Sequence, residues 1–154
     1  MANFDWNSYL SSATPGLRYS QHRLKHPMND FRLDGTSKTP KVELTVDPFS
    51  MLLSGRSIPE NSIEFYRPLM DWVQAHCGAD KPRLEINIRL EYFNTSSSKC
   101  LMDLLKRVEL SKNEAVVNWY YEEDDEDMLE AGEDYDEIIE LPFRLIATES
   151  NGNA

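Results

Sequence analysis

The sequence is poor in the features that mark metal centres, secretion or membrane insertion. It has only two cysteines, Cys77 and Cys100, which form no C-x-x-C pair. We therefore expect free thiols in a reducing compartment and no cysteine-based metal site. No apolar run approaches the roughly 20 residues that a membrane helix needs, so we expect no membrane insertion. Residues 1–10 lack the basic and apolar regions of a secretory signal, which favours a cytoplasmic protein.

Motifs of nucleotide binding and hydrolysis are absent as well. The chain has no G-x-G-x-x-G, no Walker A sequence, no G-x-S-x-G and no H-E-x-x-H. His22 and His26 are four residues apart, but no third ligand stands near them in sequence, and a metal site needs three or four. These absences predict a protein that is not an enzyme and that carries no metal and no cofactor.

The net negative charge of the chain comes almost entirely from one segment. Residues 122–140 hold 12 of the 27 acidic residues and no Lys or Arg, which leaves 15 acidic against 16 basic residues elsewhere. A chain without a basic stripe is poorly suited to nucleic acid, because contacts to phosphates supply most of that affinity. A basic protein partner fits better. The acidic run lacks the spacing of an EF-hand loop, so we interpret it as a solvated helix face.

The first half of the chain predicts a β-hairpin followed by a helix. Residues 31–57 contain alternating apolar and polar positions, then a turn sequence, then a returning strand that Gly55 is expected to end. Ser57 and Glu60 have the spacing of a capping box. A helix is therefore expected from this point to about His76.

The second half predicts strands that alternate with single helices. The clearest strand is residues 83–92, because one face of it is apolar throughout: Leu84, Ile86, Ile88, Leu90 and Tyr92. A helix with apolar residues at helical spacing follows. A strand at 115–121, an acidic helix and a last strand at 141–146 complete the pattern.

These elements predict an α/β fold of the order β-β-α-β-α-β-α-β. Strands separated by single helices favour parallel pairing with right-handed crossovers, and the opening hairpin makes the sheet mixed. We expect the helices to pack mainly on one face. Residues 31–148 form the predicted domain. Residues 1–30, with four aromatics, are expected to be a partly ordered extension, and residues 149–154 a frayed end.

Four consecutive hydroxyl residues, Thr95 to Ser98, stand where a strand should give way to a helix. A helix N-terminus presents unpaired N–H groups and a partial positive charge, which stabilise a phosphate. We interpret the run as a phosphorylation switch. The alternative is that one hydroxyl simply caps the helix, which is worth about 1 kcal/mol, and Asn94 also has a side chain able to brace the turn. From the residues alone both interpretations stay open.

Three motifs in order resemble one known family. They are Gly-Arg-Ser-Ile-Pro-Glu-Asn at 55–61, Leu-Glu-Tyr-Phe-Asn-Thr-Ser-Ser-Ser-Lys at 90–99 and Val-Asn-Trp-Tyr-Tyr at 117–121. Together they resemble the SiaC-like family of biofilm-regulating phosphoproteins, over roughly residues 31–147. The resemblance implies a bacterial cytoplasmic regulator whose sheet is like that of the anti-sigma-factor antagonists, that is, STAS-like. Residues 1–30 do not match the family core.

The same resemblance implies partners and a phosphorylation site. The family's phosphothreonine falls on Thr95, and the phosphosite loop expected to contact partners holds Asn94, Ser96, Ser97, Ser98 and Lys99. A serine/threonine kinase of the histidine-kinase-like ATPase type would add the phosphate and a PP2C-type phosphatase would remove it. The unmodified form would bind and activate a diguanylate cyclase, raising cyclic di-GMP and promoting biofilm formation.

Two other functions remain as alternatives at this point. One is a small metal-dependent enzyme that uses the acidic residues 122–137, and the other is a structural interaction protein with no switch. The residues do not decide whether Ser96, Ser97 or Ser98 is modified as well.

Overall fold

A computed structural model describes residues 29–150 as one mixed sheet with three helices. The elements in chain order are β1 (Phe31–Leu33), β2 (Lys41–Thr45), β3 (Ser50–Ser57), α1 (Ser62–His76), β4 (Leu84–Phe93), α2 (Thr95–Leu110), β5 (Ala115–Glu122), α3 (Glu126–Ile138) and β6 (Phe143–Thr148). Nearly all of the predicted extension, and most of the predicted frayed end, lie outside the described residues.

The strands follow one another across the sheet in the same order as along the chain. The β1–β2 and β2–β3 pairs are antiparallel, and β3 to β6 pair in parallel. Successive right-handed crossovers that all step in one direction place their helices on the same face. The predicted element order, mixed sheet and one-sided helix layer are therefore confirmed, and the short edge strand β1 is an addition to them.

The core lies between that helix layer and the inward side of the sheet. Two tryptophans in it are fully enclosed, Trp72 of α1 and Trp119 of β5. Trp119 Nε1 donates to the Met128 carbonyl at 3.1 Å, which ties α3 to β5. The ring of Trp119 lies 4.9 Å from Tyr135 and 6.0 Å from Phe143, measured between centroids. Aromatic contacts thus fix where α3 sits.

The predicted capping box at Ser57 is wrong. Strand β3 does not end at Gly55 but continues through it, with φ 105° at the glycine, to Ser57, which is fully buried. Helix α1 begins later, and its N-cap is Asn61, whose Oδ1 accepts from Glu64 N at 3.1 Å. The Ser57 hydroxyl is used inside the core instead.

A bulge in β4 overturns the predicted orientation of Tyr92. Gly55 pairs with Leu90 and Arg56 with Tyr92, so Glu91 is an extra residue in the ladder. An inserted residue reverses the side-chain alternation beyond it. Tyr92, expected to face the core, is 49% exposed on the other side. Phe93 turns inward instead and packs edge-on against Trp119.

The two cysteines are free, as predicted. Burial raises the pKa of the Cys77 thiol to about 12 and that of the Cys100 thiol to about 11, so both stay protonated at neutral pH. In the described part of the chain, no helix combines the length and apolarity that crossing a bilayer would need.

Candidate regulatory site at the start of helix α2

Asn94 joins strand β4 to helix α2 and caps the helix. Its backbone is extended, and its Oδ1 accepts from Ser97 N at 2.9 Å. Its own N–H donates to the Ser57 carbonyl at 3.1 Å, which anchors the junction to β3. The interpretation in which one of the four hydroxyls caps the helix is therefore wrong. The asparagine satisfies the helix end, so the four hydroxyls are left for other contacts.

Ser97 is fully buried and links α2 to β3 and α1. Its Oγ donates to the Ser57 carbonyl at 2.9 Å and accepts from Ser57 Oγ at 2.8 Å. The Tyr66 hydroxyl lies 2.8 Å from Ser57 Oγ and continues the chain of hydroxyls. Burial raises the pKa of Tyr66 to about 12, so this hydroxyl keeps its proton and can donate. Ser97 is a structural residue of the junction and is closed to a modifying enzyme.

Ser96 and Ser98 make contacts to two different helices. Ser96 Oγ lies 2.8 Å from Ser62 Oγ in the first turn of α1, although Ser96 is otherwise exposed. Ser98 Oγ lies 3.1 Å from the Tyr135 hydroxyl, which in turn donates to the Ser98 carbonyl at 2.6 Å. Burial raises the pKa of Tyr135 well above its ordinary value, so it remains a donor. The first turn of α2 is thus fixed to both neighbouring helices.

Thr95 differs from the three serines that follow it in exposure and in hydrogen bonding. It is exposed at the first position of α2, and within residues 29–150 its hydroxyl makes no hydrogen bond. Ser97 N and Ser98 N donate to Asn94, so the helix leaves the N–H groups of Thr95 and Ser96 unused. Lys99 is exposed one turn further on, on the same side as Thr95. An anion on Thr95 would meet N–H donors, the positive helix end and a cation.

Two further residues lie at this edge and were not among the predicted site residues, Arg56 and Tyr92. The Arg56 guanidinium stacks over the Tyr92 ring at 5.6 Å, next to the strand end that leads into Asn94. Because parallel strands share one carboxyl edge, the acidic start of α3 lies along the same edge. The bulge at Glu91 creates this pair, and alternation of apolar residues carries no signal for a bulge.

The acidic segment does not assemble a metal site. Asp125 serves as the N-cap of α3, accepting from Met128 N at 3.0 Å, and Glu126 and Asp127 follow in its first turn. Across the described range, no group of three or more His, Cys, Asp or Glu is placed to hold a metal ion. His22 and His26 lie outside the described residues. Negative side chains in the first turn complement the helix dipole, which is a structural use of the charge.

Removing the Ser97 hydroxyl should destabilise the fold far more than removing that of Thr95. Ser97→Ala leaves buried partners on β3 unsatisfied, which costs about 1–3 kcal/mol. Thr95→Ala removes an exposed, unbonded hydroxyl and should change the free energy of unfolding by less than about 0.5 kcal/mol. Urea denaturation of both variants measures the difference. Equal destabilisation would show that the buried network is not as assigned.

A family model and several relatives match this chain. The model of the SiaC family of regulatory phosphoproteins matches residues 33–148. A protein of Pseudomonas aeruginosa strain UCBPP-PA14, described as uncharacterised, is 32% identical over 123 residues, which are 78% of this chain and 98% of that protein.

Solved structures from Pseudomonas aeruginosa are similar over the same region. A chain in the crystal structure of the diguanylate cyclase SiaD in complex with its activator SiaC matches with a TM-score of 0.72 and 30% identity, covering 77% of this chain and 100% of that one. A structure of SiaC matches with a TM-score of 0.70 and 31% identity, covering 79% of this chain and 100% of that one.

Proposed function

This chain belongs to the SiaC family of regulatory phosphoproteins, and on that premise we propose that it binds and activates a diguanylate cyclase until Thr95 is phosphorylated. One relative, SiaC of Pseudomonas aeruginosa, is the activator of the diguanylate cyclase SiaD in a solved complex. Identity near 30% over a whole relative supports a shared partner class. In this proposal the protein is a cytoplasmic signalling regulator in biofilm control and not an enzyme.

The observation that carries the proposal is the difference between Thr95 and the three serines after it. Ser97 is sealed in the core, and Ser96 and Ser98 are held by neighbouring side chains. Thr95 alone of the run is both exposed and unbonded within the described residues. A kinase can reach it without unfolding α2, and the product can be reversed by a phosphatase. We propose a histidine-kinase-like serine/threonine kinase and a PP2C-type phosphatase for these steps.

The switch works by charge and not by refolding. A phosphate adds about −1.5 to −2 charges at neutral pH, and the N–H groups of Thr95 and Ser96 with Lys99 stabilise it on the free protein. At a packed interface the same charge must lose its water, which costs several kcal/mol unless the partner pairs it. The remaining loop residues, Asn94, Ser96 and Ser98, form the rest of the proposed contact. Residues 31–148 are the proposed regulatory unit.

Calorimetric titration tests the partner directly. The full chain is titrated into a purified SiaD-type diguanylate cyclase from the same cell, with cyclic di-GMP formation followed in parallel. Saturable binding with a rise in cyclase turnover supports the proposal, and absence of both overturns it. Incubation with the cognate kinase and ATP, followed by mass spectrometry, tests the switch separately. Phosphate on Thr95 is expected, whereas an unmodified chain would indicate an interaction protein with no switch.

A further inference from the structure

Arg56 and Tyr92 form an exposed pair beside the strand end that leads into Thr95. The Tyr92 side chain is 49% exposed, and the guanidinium of Arg56, which is also exposed, lies over its ring at 5.6 Å. Within residues 29–150 this guanidinium forms no ion pair and no hydrogen bond. Its N–H donors are therefore available to a partner or to a newly added anion.

The backbone places Arg56 next to the start of α2. The Asn94 N–H donates to the Ser57 carbonyl at 3.1 Å. Arg56 precedes Ser57 and Thr95 follows Asn94, so each stands one position from a directly bonded pair. Ser57 points into the core, and strand alternation therefore points Arg56 outward. Successive Cα atoms are about 3.8 Å apart, so the long arginine side chain has only a short distance to cover to a group on Thr95.

An exposed arginine and tyrosine at one edge have the chemistry of an interface anchor. Both residue types are enriched in protein interfaces and among the residues that carry most of the binding energy. The Tyr92 ring offers apolar area, and the Arg56 guanidinium offers a fork of donors that fits a carboxylate. A partner carboxylate opposite Arg56 would lie close to Thr95, so a phosphate on Thr95 would repel it.

We propose that Arg56 and Tyr92 anchor the cyclase, and that a phosphate on Thr95 draws Arg56 off the Tyr92 ring. This inference rests on the proposed function and deepens it by naming the contacts that phosphorylation removes. The distance of 5.6 Å is near the limit of about 6 Å for a cation–π contact, so the stack is weak. A bidentate pair between guanidinium and phosphate is stronger. The modified edge then lacks its free donor and carries added negative charge.

The chain contains a matched control pair, Arg89 and Tyr120. The Arg89 guanidinium lies 3.8 Å from the centroid of the Tyr120 ring and, like that of Arg56, forms no ion pair among the described residues. Arg89 stands six residues before Thr95, which is up to about 20 Å at 3.3 Å per residue. Arg89→Gln therefore removes the same charge and the same kind of stack without altering the edge at Thr95.

Calorimetric titration against the SiaD-type cyclase compares Arg56→Gln, Tyr92→Ala and Arg89→Gln in the full, unphosphorylated chain. Each of the first two variants should weaken binding roughly tenfold or more, whereas Arg89→Gln should bind within about twofold of the natural chain. Melting curves show that each variant is folded, and Arg56→Gln decides the result if Tyr92→Ala is unstable. Losses no larger than that of Arg89→Gln would overturn the proposal.

Phosphorus NMR tests the capture of Arg56 without a cyclase or a kinase. Phosphothreonine is incorporated at position 95 during synthesis of the full chain, and the second pKa of the phosphate, ordinarily about 6, is read from its chemical shift. Because a neighbouring cation favours the dianion, Arg56→Gln should raise this pKa, with the acid dissociation constant falling about two- to fivefold. Arg89→Gln should leave it unchanged. Equal pKa values with and without Arg56 would contradict the proposed capture.

The two measurements distinguish a wrong anchor from a wrong function. If the natural chain binds the cyclase and the variants at positions 56 and 92 bind equally well, the anchor is wrong and the proposed function stands. If the natural chain binds no cyclase, the proposed function is wrong and the anchor falls with it. The pairing of Arg56 with the phosphate is decided by the NMR titration in either case.

Discussion

Thr95→Asp is expected to weaken binding of the diguanylate cyclase at least tenfold, which corresponds to about 1.4 kcal/mol or more. The added carboxylate stands at the first position of α2, where solvent and the helix end stabilise it in the free protein. Docking would strip that solvent away, and a partner surface that fits a neutral threonine offers no countercharge. Calorimetric titration of the variant against the cyclase measures the loss.

Two control variants test whether the loss of binding comes from the charge at position 95. One removes the threonine side chain without adding charge, and the other adds the same charge elsewhere on the helix. Thr95→Ala keeps the site neutral and should bind within a few-fold of the natural chain. Leu110→Asp adds the same charge to the same helix at its other end, where Leu110 is 73% exposed, and should also bind normally. Thr95→Asp itself should not lower thermal stability, because an acidic residue in the first helical turn is favourable. Equal affinities of the aspartate and alanine variants at position 95 would refute the charge switch.

Gly132→Ala is expected to destabilise the protein by about 1–3 kcal/mol through overpacking, although alanine is the better helix former. A Cβ at this position would lie 2.6 Å from Trp119 Cδ1 and 2.7 Å from its Nε1. The indole cannot move aside, because it is fully buried and packed against Tyr135 and Phe143. Helix α3 must therefore shift, which strains the bond from Trp119 to the Met128 carbonyl.

The expected fall in melting temperature is roughly 4–10 °C for a domain of this size. Because Tyr135 of α3 holds Ser98, the shift should also loosen the start of α2 and weaken cyclase binding. Gly78→Ala is the matched control, since its Cβ would meet Asp80 Oδ1 at an ordinary 3.4 Å. Melting curves followed by near-ultraviolet circular dichroism give the melting temperatures of the Gly132→Ala and Gly78→Ala variants. A Gly132→Ala protein as stable as the control would mean that α3 does not approach the sheet this closely.

Local periodicity determined most of the fold. Alternation in residues 83–92 and helical spacing after residue 99 are short-range patterns, and single helices between strands leave few topologies open. The position of the hydroxyl run between a strand and a helix was equally visible, because both neighbours have strong patterns. The bounds of the domain at residues 31–148 and the extension at residues 1–30 stay predictions.

Only the tertiary structure shows which of the four hydroxyls is exposed to a modifying enzyme. The four residues from Thr95 to Ser98 all carry a hydroxyl, so the sequence does not distinguish them. What distinguishes them is contact with distant residues, such as that of Ser97 with Ser57, 40 residues away, and that of Ser98 with Tyr135, 37 residues away. Ser96 likewise contacts Ser62. The bulge at Glu91 could not be predicted from the sequence either, because it depends on the register between strands β3 and β4 and not on either strand alone. Short-range sequence carries the periodicity of each element, whereas burial and register are properties of elements brought together.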